Sequence, residues 1–118
     1  MGRATYNDFA EPLHQRVNYV LTGSSDPLRN GFQAIGSLDQ LVTENPDEEV
    51  WVIGGAAVFA GTIADADELL LTQVAGDFDC TRLFPPFQSD LHLGTRSADH
   101  QEGGIHCRFE TWRTNGTR

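Results

Sequence analysis

The spacing of apolar and polar positions changes character several times along the chain, and each change predicts an element. Residues 4–11 (ATYNDFAE) read as a short helix that Pro12 stops, because the residue before a proline avoids the helical region. Residues 17–22 (VNYVLT) are rich in β-branched and aromatic side chains and read as a strand. Turn formers fill 23–31, and a short strand is expected over 32–35. Ser37 then opens a helix as its N-cap, with Gln40 completing a capping box and Leu38, Leu41 and Val42 on one face. Asn45-Pro46 ends it.

Residues 50–53 (VWVI) form a continuous apolar run, the pattern of a strand buried on both faces. Gly54-Gly55 interrupts the run, and Ala56 to Ile63 is apolar enough for a following helix. Another apolar strand is expected over 69–74, irregular chain over 75–100, and a final alternating strand over 105–112. Strand and helix alternate early while the end reads as antiparallel, so the fold class is α/β.

A length of 118 residues fits one domain with a thin margin of core. Against 8 basic residues stand 17 acidic ones, a formal charge of -9. That balance disfavours nucleic acid and anionic membrane surfaces as partners, since both need basic neutralisation. No apolar run of about 20 residues is present to span a bilayer, and no leader pattern opens the sequence. Cys80 and Cys107 fit neither a disulfide framework nor a metal pair, and His92 and His100 read as solvated loop residues among four scattered histidines. The expectation is a cytoplasmic protein without a metal. All eight basic residues are Arg. Salt adaptation and GC-rich codon usage explain this equally well. Residues 1–30 balance three Arg against three acids, so the whole surplus lies in 31–118. The neutral first segment suits an anionic ligand, although chance alone also produces such a distribution.

Three segments carry chemistry. In residues 50–59 (VWVIGGAAVF) a buried strand runs through two glycines into a helix, which allows a ligand close to the backbone and offers free N–H groups to a phosphate. A plain tight turn explains the glycines as well. In residues 1–5 (MGRAT), Arg3 and Thr5 stand just before a helix, and Arg is a bidentate phosphate ligand. In residues 12–22 (PLHQRVNYVLT), Arg16 either clamps a carboxylate or pairs with Glu11 at the surface.

These segments, followed by LLLTQV and LFPPF, occur in an order and at separations that resemble dihydrofolate reductase, over residues 1 to about 112. The riboflavin-pathway reductases share a Gly-Gly turn and stand as the alternative. So does a non-catalytic nucleotide-binding remnant. The resemblance implies a three-layer α/β/α fold around a mixed sheet, with NADPH and dihydrofolate as ligands. It implies that Arg3, Ala4 and Thr5 face the cofactor phosphates, that Leu21 and Thr22 flank its adenosine side, and that Ile53 touches the nicotinamide. Gly54-Gly55 becomes the family's cis peptide, and Ala56, Ala57, Val58 and Phe59 begin the helix over the diphosphate. Phe9 and Leu13 line the groove for the aminobenzoyl ring, Arg16 holds the glutamate carboxylate, and Thr72 bonds the catalytic acid and the pterin.

The sequence also departs from the family pattern. The family's first strand, its mobile loop, the helix bearing the essential Asp or Glu, and most of its second strand precede the MGR-x-T motif, which here begins at Met1. No acid in the sequence matches the catalytic carboxylate, which fixes the pterin and promotes protonation of its N5. The fold is therefore expected to lack the first strand and most of the second. That leaves Val50 to Ile53 partly uncovered, for an oligomer or a complementing segment to complete. Phe59 stands where the family usually has Tyr, Ala57 where some members have Arg, and Thr81-Arg82 where an Asp-Thr pair is usual.

Overall fold

The computed structural model describes residues 1–116, which divide into two compact units, Met1–Phe59 and Ala60 onward. Among the described residues no helix is long and apolar enough to cross a membrane.

In the first unit, α1 (Arg3–Asn7) leads to a parallel pair, β1 (Asn18–Leu21) and β2 (Phe32–Ile35), with Asn18 opposite Phe32 and Leu21 opposite Ile35. Tyr6, Val20 and Phe32 form the core, and Met1, Phe9 and Leu28 pack on it. The Tyr6 and Phe32 rings meet edge to face at 4.9 Å, a favoured quadrupole geometry. α2 (Leu38–Glu44) starts where Ser37 accepts a hydrogen bond from the Gln40 N–H at 3.2 Å. The expected capping box is only half formed, because the Gln40 side chain bonds forward to Glu44 Oε1 instead. Of its apolar face, Leu41 is buried and Val42 is exposed.

The second unit carries an antiparallel sheet of β3 (Glu68–Val74), β4 (Leu91–Arg96), β5 (His100–Glu102) and β6 (Ile105–Thr114), in the order β3-β6-β4 with β5 also on β6. Ile63, Phe87 and Leu91 are its core, with Phe84, Leu69, Leu71 and Trp112 against them. Both aromatic residues of the LFPPF run thus serve packing, and the Phe87 and Trp112 rings meet at 4.8 Å. α3 (Ala56–Thr62) carries the chain from the first unit into the second.

Four expectations need correction. α1 ends at Asn7, where Asp8 caps it, well before Pro12. Residues 75–100 are not all irregular, since β4 and the start of β5 lie there, and His92 and His100 sit on strands, though exposed. Residues 50–53 form no strand: Trp51 is 59% exposed, and Val50 and Ile53 are exposed too. Their composition suits a central strand, but among the described residues no strand stands beside them to pair. The parallel and antiparallel strands accordingly fall in two sheets of a mixed α/β fold.

Glu110 is the buried carboxylate of the second unit. Its Oε1 accepts from Trp112 Nε1 at 3.0 Å and its Oε2 from Arg96 Nε at 2.7 Å. The Trp112 bond, the Arg96 pair and a bond from Gln73 hold its carboxyl below the usual range, against burial, which pushes it up. A carboxyl lowered on folding stabilises the fold above its unfolded pKa and loses that contribution as pH falls through the folded value. Arg96 is half exposed, so solvent screens its share. Glu110→Gln is expected to cost about 1–2 kcal/mol at pH 7. It should also flatten the fall of melting temperature on acidification, as thermal melts at neutral and acid pH will show.

Candidate functional site

The start of α1 and the start of α3 are tied together in the first unit. The Gly2 N–H donates to the Gly54 C=O at 2.7 Å, and the Phe59 N–H donates to the Gly55 C=O at 2.9 Å. The Gly54-Gly55 peptide is cis, as the resemblance implies. Glycine is required here by close approach. A Cβ on Gly2 would lie 3.0 Å from Val58 Cγ2, and one on Gly54, where φ is +123°, would lie 3.3 Å from Thr5 Oγ1. Thr5, Val58 and Phe59 therefore lie against a short stretch of bare backbone, with Arg3 next to Gly2 in the chain.

Arg3 is the unusual member. Its Nη1 is fully buried and, among the described residues, has no acceptor, while its Cζ lies 5.2 Å from the Tyr6 ring centroid. Buried donors are almost always satisfied, and an orphaned guanidinium nitrogen is a seat for an anion. In the same unit, Thr5 Oγ1 and the Gly54-Gly55 backbone supply further polar groups where neither glycine carries a Cβ. This arrangement fits a phosphate-bearing cofactor.

The other expected residues divide. Leu13, Arg16, Leu21, Ile53 and Val58 line one cavity of about 620 Å³. Phe9, outside that lining, packs on the Tyr6 core and keeps part of its surface open. Arg16 is exposed and its Nε donates to the His14 C=O at 2.9 Å, so it does not pair with Glu11. Leu21 donates its N–H to the Met1 C=O at 2.8 Å, and Thr22 donates its N–H to the Ile35 C=O. Ala4 and Ala57 are exposed, and Ala56 is partly covered. Thr72 lies on β3 in the second unit, opposite Phe109, with its side chain on the exposed positions of that strand.

Two residues that position the site escape a reading by pattern. Asn18, 4% exposed, bonds Leu13 through both its Oδ1 and Nδ2 and also caps the Arg16 C=O, so it shapes the whole 13–17 turn. Its signal is a polar residue opening an apolar strand. Arg29 stacks 4.0 Å over the Tyr6 ring, and its Nη2 donates to the carbonyls of Tyr6 and Phe9. Nothing local in the sequence marks it.

The family model for dihydrofolate reductase matches residues 1–114. The chain is similar to the dihydrofolate reductase of Aedes albopictus, 29% identical, with 95% of this chain and 70% of that protein covered. It is 36% identical to the Bacillus subtilis (strain 168) enzyme over 74% of this chain and 52% of that one. It is 30% identical to dihydrofolate reductase type 3 of Salmonella typhimurium, with 94% of this chain and 71% of that protein covered. Among solved structures, Enterococcus faecalis dihydrofolate reductase complexed with NADP(H) and RAB-propyl superposes with a TM-score of 0.85 at 24% identity, over 98% of this chain and 72% of that one. At that identity the likeness shows the fold. The chain spans between about half and seven tenths of the length of these relatives.

Proposed function

The chain belongs to the dihydrofolate reductase family, and from that membership we propose that residues 1–118 carry the NADPH seat and part of the dihydrofolate groove of an NADPH-dependent reductase. The observation that carries the proposal is the buried, acceptorless Nη1 of Arg3, the first residue of α1, whose start is bonded to the turn before α3. Arg3, with Ala4 and Thr5, holds the cofactor's phosphates. Gly54-Gly55 and Ala56 to Phe59 admit its diphosphate close to the backbone, and Leu21, Thr22 and Ile53 meet its flanks. Leu13 and Phe9 supply apolar surface to dihydrofolate, Arg16 pairs with its tail carboxylate, and Thr72 is the hydroxyl assigned to the pterin. When bound, NADPH supplies the hydride. The chain's own part is to bind, orient and exclude water. A cytoplasmic setting suits this reading.

None of the residues placed in the seat is a carboxylic acid, so the 118-residue chain is expected to bind NADPH and leave dihydrofolate unreduced. Purified protein mixed with both compounds should show saturable NADPH binding by cofactor fluorescence and no loss of cofactor absorbance. Turnover of about 1 per second, ordinary for enzymes, would contradict the assignment of the acid. Absence of NADPH binding would contradict the seat itself.

A further inference from the structure

Asn18, at the start of β1, is 4% exposed, and the three hydrogen bonds of its side chain all go to the turn before it. Its Oδ1 accepts the Leu13 N–H at 2.9 Å. Its Nδ2 donates to the Leu13 C=O at 3.0 Å and to the Arg16 C=O at 3.1 Å. One carboxamide therefore fixes both ends of residues 13–16. Between those ends Gln15 has φ +61°, the left-handed region that glycine enters freely and a residue with a Cβ enters at a cost. Gln15 is exposed, and its side chain makes no hydrogen bond among the described residues. Such a conformation persists where the surrounding structure over-determines it, and here the bonds of Asn18 do so.

The turn delivers two side chains to one place, because Leu13 and Arg16 both line the 620 Å³ cavity. Arg16 Nε donates back to the His14 C=O at 2.9 Å, which ties the plane of the guanidinium to the turn. Its Nη groups have no partner among the described residues. Glu48 and Glu49 outnumber Arg16 among the charged side chains lining that cavity, so net charge does not draw a carboxylate there. Acceptance of a carboxylate then depends on the direction of the Arg16 fork.

We propose that Asn18 is a positioning residue. Through the left-handed turn at Gln15 it sets the direction of the Arg16 fork, and so the selectivity of the site for a ligand that ends in a carboxylate. The inference rests on the reading of Arg16 as the partner of the dihydrofolate tail.

Dihydrofolate and its dimethyl ester differ in tail charge and little in shape. Both are titrated calorimetrically into the full chain and its variants. The parent is expected to prefer dihydrofolate by about tenfold or more, the contribution of a charged hydrogen bond. Asn18→Ala is expected to bring the two ligands within about twofold of each other. Gln15→Gly added to Asn18→Ala should recover most of the preference, because glycine holds a positive φ without help. A merely structural Asn18 would weaken both ligands together and leave their ratio as in the parent, and that result overturns the proposal. Failure of the glycine to recover the preference overturns it as well. Gln15→Pro is the second variant, at an exposed position. Proline holds φ at roughly −65° and does not make this turn, so the preference should fall as in Asn18→Ala. A preference retained there overturns the proposal, whether or not Asn18→Ala folds. A parent without any preference overturns the reading of Arg16 and this proposal with it, whereas a parental preference that survives in the variants overturns this proposal alone.

Discussion

Tyr6→Ala is expected to abolish cooperative melting of the first unit. Tyr6 is 3% exposed and sits at the centre of that unit's core. Its ring meets Phe32 edge to face, and Arg29 lies 4.0 Å over its centroid. Its hydroxyl accepts the Arg29 N–H at 2.8 Å, which holds the 23–31 loop against α1. Truncating a buried aromatic residue costs about 3–5 kcal/mol. A domain of this size has only about 5–15 kcal/mol of net stability, and a unit with a three-residue core has less to lose. Tyr6→Phe keeps the ring and gives up the hydroxyl bond alone, so it should cost about 1 kcal/mol. Thermal melts followed by circular dichroism separate the two. A Tyr6→Ala protein that melts like the parent would show that the core lies elsewhere.

Arg3→Ala is expected to weaken NADPH by about ten- to a hundredfold, the equivalent of one charge-assisted hydrogen bond at roughly 1.5–3 kcal/mol. NADH should lose far less, because it lacks the 2′-phosphate that the buried Nη1 is proposed to meet. Arg3→Lys keeps the charge without the planar fork and should recover part of the difference. Calorimetric titration of both cofactors into the three proteins decides the matter. Equal losses for NADPH and NADH would remove the 2′-phosphate from the role of Arg3. A melt of each variant guards against a loss of fold, since Arg3 also lies 5.2 Å from the Tyr6 ring.

Local signals in the sequence were sufficient wherever the determinant was local. β2 has the bounds its apolar run predicts, and α2 begins at the Ser37 cap. The turn at Gly54-Gly55 is legible because glycine suits the close approach of Thr5 to both positions and the positive φ of Gly54. β4 was hidden for an identifiable reason. Its register shifts between Leu93 and Thr95, so alternation fails within six residues. The bulge falls at Gly94, where a Cβ would lie 3.2 Å from both Arg113 Nε and Thr111 O. Arg29 acts through bonds to residues brought near only by the fold, spanning 20 and 23 positions, whereas Asn18 closes a turn on residues five and two positions back, which no apolar periodicity marks. The run at 50–53 shows the converse. Composition records the neighbours a segment is suited to, and the described residues do not supply them, which explains an apolar stretch left exposed.

Titration of NADPH into isotopically labelled protein, followed by amide chemical shifts, tests the central assignment most directly. Saturable shifts are expected, concentrated at Gly2 to Thr5 and Gly54 to Phe59, the two segments joined by the Gly2–Gly54 hydrogen bond. Binding that moves other amides while these stay still, or no saturable binding at all, would contradict it.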